Sequence, residues 1–291
     1  MKVRKAVIPA AGFGTRFLPA TKAQPKEMLA LVDKPVIQYV VEEAVASGIE
    51  DILIVIGKGK HAIENHFNRS PELESLLAGR GDSKTADELK GISEMAKITY
   101  ILQPEPLGLG HAVLMAEKHV GGEPFAVLLG DTVFSSKIPF TKQLVNVFEK
   151  KGGSVVGVHE VPPSDVSRWG IVKPRGPSID GVIEVEDLVE KPAVGTAPST
   201  LAIAARYVLT PGVFDCLKQT KPGKNGEVQL TDALRLLAKR ESMFASAVEG
   251  GWYDIGTKLD YATTFVEFAL RHPQVGPEFR KRLSGILEGK K

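Results

Sequence analysis

The sequence predicts an α/β fold: a mixed, mostly parallel central sheet with helices on both faces. Three observations carry this. Short apolar runs alternate with helical patterns through the first half of the chain. The first helical pattern is punctuated by Pro35 near its start and Gly48 just past its end. After Lys151 the pattern changes to a series of strands before helices return. In order, buried strands are expected at Val3–Pro9, Asp51–Gly57, Ile98–Gln103 and Phe125–Gly130, with helices at Pro35–Ser47, Lys60–Asn68 and Leu109–His119 between them. Residues 70–97 break the rhythm with a charged, helix-prone stretch, read as a helical insertion on the surface. Further strands are expected at Ser154–Glu160, Gly170–Lys173, Gly181–Glu190 and Leu201–Leu209. Helices follow at Gln229–Lys239 and Lys258–Arg271, within a C-terminal helical segment at 257–291. No linker, repeat or low-complexity tract divides the chain, so residues 1–291 are expected to form one domain.

The 291 residues carry 37 basic and 35 acidic side chains, a formal charge of +2. That balance lacks the basic footprint of a nucleic-acid binder. No apolar run approaches the ~18 residues of a membrane span. A single cysteine, Cys216, forms no internal disulfide and fits a reducing compartment. The opening MKVRKAVIPAAGFGTRF has a basic start and an apolar stretch, but Pro9, Gly12 and Gly14 break it and Arg16 ends it. A cytoplasmic protein is expected.

The sharpest local signal follows the first strand: Ala10-Ala11-Gly12-Phe13-Gly14-Thr15-Arg16, continuing to Pro25-Lys26. In an open α/β sheet, ligands bind beyond the carboxyl ends of the strands, where this loop lies. Small residues let backbone N–H groups approach a phosphate, and Arg16 and Lys26 add cationic donors. The dinucleotide fingerprint G-x-G-x-x-G fails, because Phe17 stands where the third glycine belongs. Gly57-Lys58-Gly59-Lys60 lacks both the spacing and the hydroxyl of a phosphate-binding P-loop.

The whole stretch resembles the sugar-1-phosphate nucleotidyltransferases. Phe17–Gln38, reading FLPATKAQPKEMLALVDKPVIQ, is similar to the prokaryotic-type UTP–glucose-1-phosphate uridylyltransferases, and the similarity runs through nearly the whole chain. The resemblance implies a Rossmann-like fold of the nucleotide-diphospho-sugar transferase type. It implies a nucleotide resting on Ala10–Gly14 and phosphates contacted by Arg16 and Lys26. The expected reaction joins UTP and glucose 1-phosphate, giving UDP-glucose and pyrophosphate, in a homo-oligomer (dimer or tetramer).

Three further segments fit that expectation. Gln103, in Gln103-Pro104-Glu105-Pro106-Leu107-Gly108, has an amide that can donate and accept at once, as a pyrimidine edge requires. The resemblance assigns uracil to Gln103 and the Gly108 backbone. Asp131 stands just past a buried strand, a natural place for a hard-cation ligand near phosphate oxygens. Trp252-Tyr253-Asp254 supplies a second carboxylate after another short apolar segment, and both match the family's Mg2+ positions. Glu190-Lys191-Pro192 ends one strand and Trp169-Gly170 begins another. A carboxylate can accept two sugar hydroxyls and a lysine can neutralise a phosphate. The resemblance places Glu190 and the Gly170 backbone on the hexose and Lys191 on its phosphate. Thr132 and Thr200 depart from the family, which often carries an acidic or amide residue at the first and Asn at the second; they bear on metal surroundings and sugar preference.

Other candidates carry less. His61 and His66 are five apart and diverge on a helix instead of sharing a face. Gly152-Gly153-Ser154-Val155-Val156 fails as a nucleophile elbow at its last position. Cys216 is expected on a helix, with its side chain packed in the protein core. A thymidylyltransferase and a nucleotide-binding regulatory homologue without activity remain as alternatives.

Overall fold

Each buried strand sends alternate side chains to opposite faces, and the chain covers both faces with helices. The computed structural model describes residues 2–223 and 226–289. In strand β1 (Lys5–Ala10), Val7 joins one apolar layer while Ala6 and Ile8 join the other. A short hairpin, β2 (Ala30–Leu31) and β3 (Lys34–Pro35), leads into α1 (Val36–Ala46), then β4 (Asp51–Ile56) and α2 (His61–Phe67). Helices α3 (Pro71–Gly79) and α4 (Ser83–Glu94) fill most of 70–97, whose final residue instead opens β5 (Lys97–Leu102). The helix expected at Leu109–His119 is two, α5 (Leu109–Leu114) and α6 (Glu117–Val120). Between them the chain tightens, Ala116 N donating to Val113 O at 3.0 Å in a three-residue step.

Strands β6 (Phe125–Leu128) and β7 (Thr132–Ser135) precede α7 (Phe140–Lys151) and β8 (Ser154–Glu160). Then come β9 (Gly170–Pro174), β10 (Val182–Glu190), β11 (Leu201–Leu209), α8 (Gly212–Gln219) and α9 (Leu230–Leu237). The chain continues through β12 (Met243–Ala247), β13 (Gly251–Asp254), α10 (Lys258–Arg271) and α11 (Gly276–Leu287). The last two are the C-terminal helices expected within 257–291, of which Lys290 and Lys291 lie outside the described residues, as does Met1 at the other end.

The main sheet has nine strands in the order β5-β4-β1-β6-β11-β8-β12-β10-β9. Only β11 and β10 run against the rest, so the mostly parallel expectation holds. A bridge from Ile171 of β9 to Ala202 of β11 closes the second half of the sheet into a ring. Helices α1, α2 and α7 cover one face; α5, α8 and α9 cover the other. Cys216 is buried on α8 as expected. The segment ending at Asp254 does not join this sheet: β13 pairs with β7 as a separate antiparallel ribbon. The ribbon packs through Val133 and Ile255 into a third apolar cluster with Leu31, Val36 and the aromatic face of α10. Helix α10 gives the apolar side chains of the ribbon somewhere to go.

Two buried contacts support the sheet, one under β8 and one beside the loop that follows β1. An added Cβ on Gly157 of β8 would stand 2.5 Å from the ring of Phe140 on α7. Gly157→Ala is therefore expected to destabilise the protein by about 1–3 kcal/mol in urea unfolding, the scale of core overpacking. Lys60, just before α2, reaches Glu27 in the turn Lys26–Met28, Nζ to Oε2 at 2.9 Å, with both side chains buried. Burial pushes the Glu27 carboxyl up and the Lys60 amine down, against the pull of each on the other. Removing one partner strands a buried charge. Glu27→Leu alone is expected to cost about 3–5 kcal/mol of stability, and Glu27→Leu with Lys60→Met less, a pattern that a double-mutant cycle in urea would read directly.

Candidate active site

The loop after β1 is built on small residues because backbone packs on backbone there. A Cβ on Gly57, at the end of β4, would lie 2.6 Å from Ala11 O. The Gly57–Lys60 segment thus contributes by close approach and by Lys60, without being a phosphate loop. Gly14 adopts φ +63°, in the left-handed region that glycine occupies without penalty. Thr21 Oγ1 donates to Gly14 O at 2.8 Å and folds the chain back, so that Lys26 comes to lie against Gly14. Ala10 ends β1 with its methyl in the core. Ala11, Gly12, Gly14, Lys26, Gln103 and Gly108 line one cavity of about 460 Å³, with Asp131 at its edge.

Gln103 is 5% exposed. Its amide nitrogen donates to Gly108 O at 3.3 Å and meets His111 Nδ1 at 2.8 Å, which leaves the amide oxygen for an incoming N–H donor. Gly108 holds φ +98°, and a Cβ there would press within 2.8 Å of Val228 O. The segment that crowds it also ties down the loop: Val228 N donates to Leu107 O and Gly110 N to Val228 O, both at 2.8 Å. Glu227, on the same segment, borders this cavity.

A second cavity, of about 290 Å³, adjoins the first across Asp131, Leu109, Leu129 and Glu227. Arg16, Gly170, Glu190, Lys191 and Asp254 line it. Gly170 and Glu190 face each other in the β9–β10 ladder. Glu190 Oε2 accepts a 2.6 Å hydrogen bond from Thr231 Oγ1, and Oε1 lies 3.2 Å from Lys191 Nζ. A Cβ on Gly170 would reach 2.9 Å from that same Thr231 hydroxyl, so glycine keeps the Glu190–Thr231 contact possible. Lys191 takes φ +44°, strained for a side-chain-bearing residue, and its N–H donates to Trp169 O at 3.1 Å. Arg16 reaches across, Nη1 to Gly256 O at 3.4 Å, and so stands with Asp254 and Lys191, while Lys26 lines the other cavity.

Asp131 and Asp254 meet through the ribbon. Asp254 is the cross-strand partner of Thr132, and Ile255 N donates to Asp131 O at 3.2 Å. Asp254 Oδ1 accepts from Gly256 N at 2.9 Å and Oδ2 from Trp169 Nε1 at 3.3 Å. Burial first, and then the facing Asp131 charge, push the Asp254 carboxyl up. Asp131 is burdened by the same burial, but its ion pair with Lys26 outweighs that and holds it below the usual carboxylate range. Burial likewise opposes the charge of Lys26, and Asp131 with Glu27 more than restores it. Two adjacent carboxylates whose repulsion raises one of them form a fitting half-shell for a hard dication. Among the described residues no cluster of three or more His, Cys, Asp or Glu could hold a metal, so phosphate and water oxygens would have to complete the shell.

All of the predicted site residues except Ala10 thus border these two cavities. Thr231, Trp169, Glu227 and Arg168 were not foreseen. Arg168 stacks on Trp169 with its guanidinium carbon 4.4 Å from the ring centre and pairs with Asp260 at 2.7 Å. Of the two threonines expected to bear on the site, Thr132 is buried beside Asp131 and lines the second cavity, whereas Thr200 lines neither cavity and donates from Oγ1 to Glu160 Oε1 at 3.3 Å.

A model of the nucleotidyl transferase family matches residues 5–269. The chain is 54% identical over 287 residues to the UTP–glucose-1-phosphate uridylyltransferase YngB of Bacillus subtilis (strain 168), covering 99% of this chain and 95% of that protein. A crystal structure of a UDP-glucose pyrophosphorylase complexed with UDP-glucose superposes with a TM-score of 0.85 at 41% identity, covering 93% of this chain and all of that one. A UTP-bound UGPase from Acinetobacter baumannii superposes with a TM-score of 0.89 at 38% identity, covering 97% and 98% of the two chains. Matched over almost its full length in sequence and in fold, the chain belongs to the nucleotidyl transferase family, on the branch of the UTP–glucose-1-phosphate uridylyltransferases.

Proposed function

We propose that the protein transfers a uridylyl group from UTP to α-D-glucose 1-phosphate, releasing UDP-glucose and pyrophosphate. The observation that carries the reading is the junction of two cavities at Asp131, one lined by the glycine loop and Gln103, the other by Glu190 and Lys191. Relatives named for this reaction, and neighbours that bind UTP or UDP-glucose, support it.

The nucleophile is a phosphate oxygen of the sugar phosphate, already anionic near neutral pH, so no general base is required. That oxygen bonds to the α-phosphorus of UTP as the bond to the bridging oxygen breaks in line, and pyrophosphate leaves. The obstacle is an anion approaching an anion. Two like charges 4 Å apart repel by about 4 kcal/mol at an effective dielectric of 20. Positioning and charge neutralisation therefore dominate, as in phosphoryl transfer generally. The Ala10–Gly14 backbone cradles the nucleotide phosphates, and Lys26 neutralises the departing pyrophosphate. Arg16 adds its charge from the far side of Asp131. The Gln103 oxygen accepts the imide N–H of uracil, beside the backbone of Gly108. Glu190, steadied by Thr231, accepts hexose hydroxyls together with the Gly170 backbone, and Lys191 aligns the sugar phosphate. Mg2+, held by Asp131 and Asp254, supplies further neutralisation of phosphate oxygens when bound.

The same proposal covers the chain as one catalytic unit working in the cytoplasm as a homo-oligomer. No helix among the described residues is long and apolar enough to cross a membrane. Leu259, Ile286 and Leu287 are exposed on α10 and α11 and offer apolar surface for a partner copy.

Pyrophosphate release measured across UTP and dTTP with a panel of hexose 1-phosphates tests the reading. UTP with glucose 1-phosphate is expected to be fastest. A preference for dTTP would point to a thymidylyltransferase, and nucleotide binding without release would point to a regulatory homologue. Asp131→Asn and Asp254→Asn are each expected to lower activity by about 10²–10³-fold, the scale of one lost electrostatic stabiliser. Together they should cost much less than the product, because both act through one shared ion; chelator should abolish activity and Mg2+ restore it. In a comparison of steady-state constants for glucose and galactose 1-phosphates, Glu190→Gln is expected chiefly to relax hexose selection. Lys191→Ala should cut turnover as well as sugar-phosphate affinity, since it aligns the reacting phosphate.

A further inference from the structure

Arg206 is wholly buried at the centre of the sheet. It lies on β11 directly after Ala205, whose φ of +56° is left-handed, where the ladder to β8 skips from Ile203↔Val158 to Tyr207↔Val156. The irregular stretch leaves all five guanidinium N–H donors with acceptors. Nε faces both oxygens of Glu43 on α1 at 3.1 Å, and Nη2 donates to Glu43 Oε2 at 2.7 Å. The second Nη2 hydrogen goes to Thr132 O at 2.8 Å, and Nη1 donates to Leu129 O at 3.3 Å and Ala205 O at 3.0 Å. Glu43 is fixed in turn from α7, where Thr141 N and Oγ1 donate to its Oε1 at 2.9 and 2.6 Å.

A buried ion pair is seldom more stabilising than well-packed apolar side chains of the same volume. This one makes contacts that apolar side chains could not. Leu129 O and Thr132 O bracket Gly130-Asp131, and Thr132 is the ladder partner of Asp254. One planar guanidinium thus grips both sides of the corner that carries Asp131, one of them at the residue that pairs across the ribbon with Asp254.

We propose that Arg206, clamped by Glu43, is a positioning residue that sets the Asp131–Asp254 geometry for divalent metal bound with nucleotide. The proposal rests on the reading of those aspartates as metal ligands. Lysine offers a compact ammonium in place of the planar fork and cannot span the same acceptors. Arg206→Lys therefore keeps the charge and loses the grip, while Thr141→Val loosens the clamp by one hydrogen bond.

The test is Mn2+ binding to the full-length protein with UTP and no sugar phosphate, followed by electron paramagnetic resonance so that no turnover intervenes. Arg206→Lys is expected to weaken Mn2+ at least tenfold and Thr141→Val a few-fold. The metal concentration for half-maximal activity should rise in the same order, and metal-free UTP affinity should hold within twofold. A purely structural role would lower the melting temperature and leave Mn2+ affinity of the folded protein unchanged. Folded Arg206→Lys and Thr141→Val that both bind Mn2+ within twofold of wild type would overturn the proposal; should Arg206→Lys not fold, Thr141→Val decides. Asp131→Asn separates the two readings: if it binds Mn2+ as wild type does, the assignment of the metal ligands fails, whatever Arg206 does.

Discussion

Two negative charges placed side by side are the constraint around which this molecule is organised. Asp131 and Asp254 come from distant parts of the chain, and nothing in their own chemistry brings them together. The β7–β13 ribbon does so by backbone pairing, and the apolar cluster beneath it seats that ribbon against α1 and α10. Lys26, far from Asp131 in sequence, balances its charge and comes into place only because the loop after β1 folds back on Gly14. Fold and site are thus not separable here: the small residues, the ribbon and the ion pair each need the others in position.

Much of this was legible in the residues. Alternating apolar runs and helical patterns specify a layered α/β architecture, and β1, β4, β8 and β11 fall within a residue or two of their expected limits. The glycine loop, Gln103, Asp131, Glu190 and Lys191 all sit at ends of expected strands, where topology leaves open space. Such residues announce themselves because their chemistry is local: a glycine pattern, a carboxylate after a buried strand, a Glu-Lys pair before proline.

The rest depends on partners remote in sequence. Thr231 reads as an ordinary helix-start residue until Glu190 arrives across the cavity. Gly57 looks like loop punctuation, yet Ala11 O lies where its side chain would stand. Arg206, inside an apolar strand, gives no hint that Glu43 waits beneath it. The ribbon strand β13 is too short to announce which sheet it joins. Helix α7 is different: Phe140, Leu144, Val145 and Phe148 share a face and Gly152 follows its end, so its signal was there to be found.

The two cavities also divide the chain almost cleanly in order. Every residue bordering the cavity of the glycine loop, apart from Glu227, comes at or before Asp131, whereas the cavity of Glu190 and Lys191 draws mostly on residues beyond it. On the proposed assignment of the two cavities, the polypeptide is written as two successive recognition modules, read on either side of one aspartate. Recombination near that residue could exchange hexose preference between relatives while nucleotide preference stays with the first module. The segment around Glu227 and Val228 is the exception that limits such exchange. It travels with the second module but packs against the 107–110 loop of the first, so a chimaera inherits one foreign seam at Gly108.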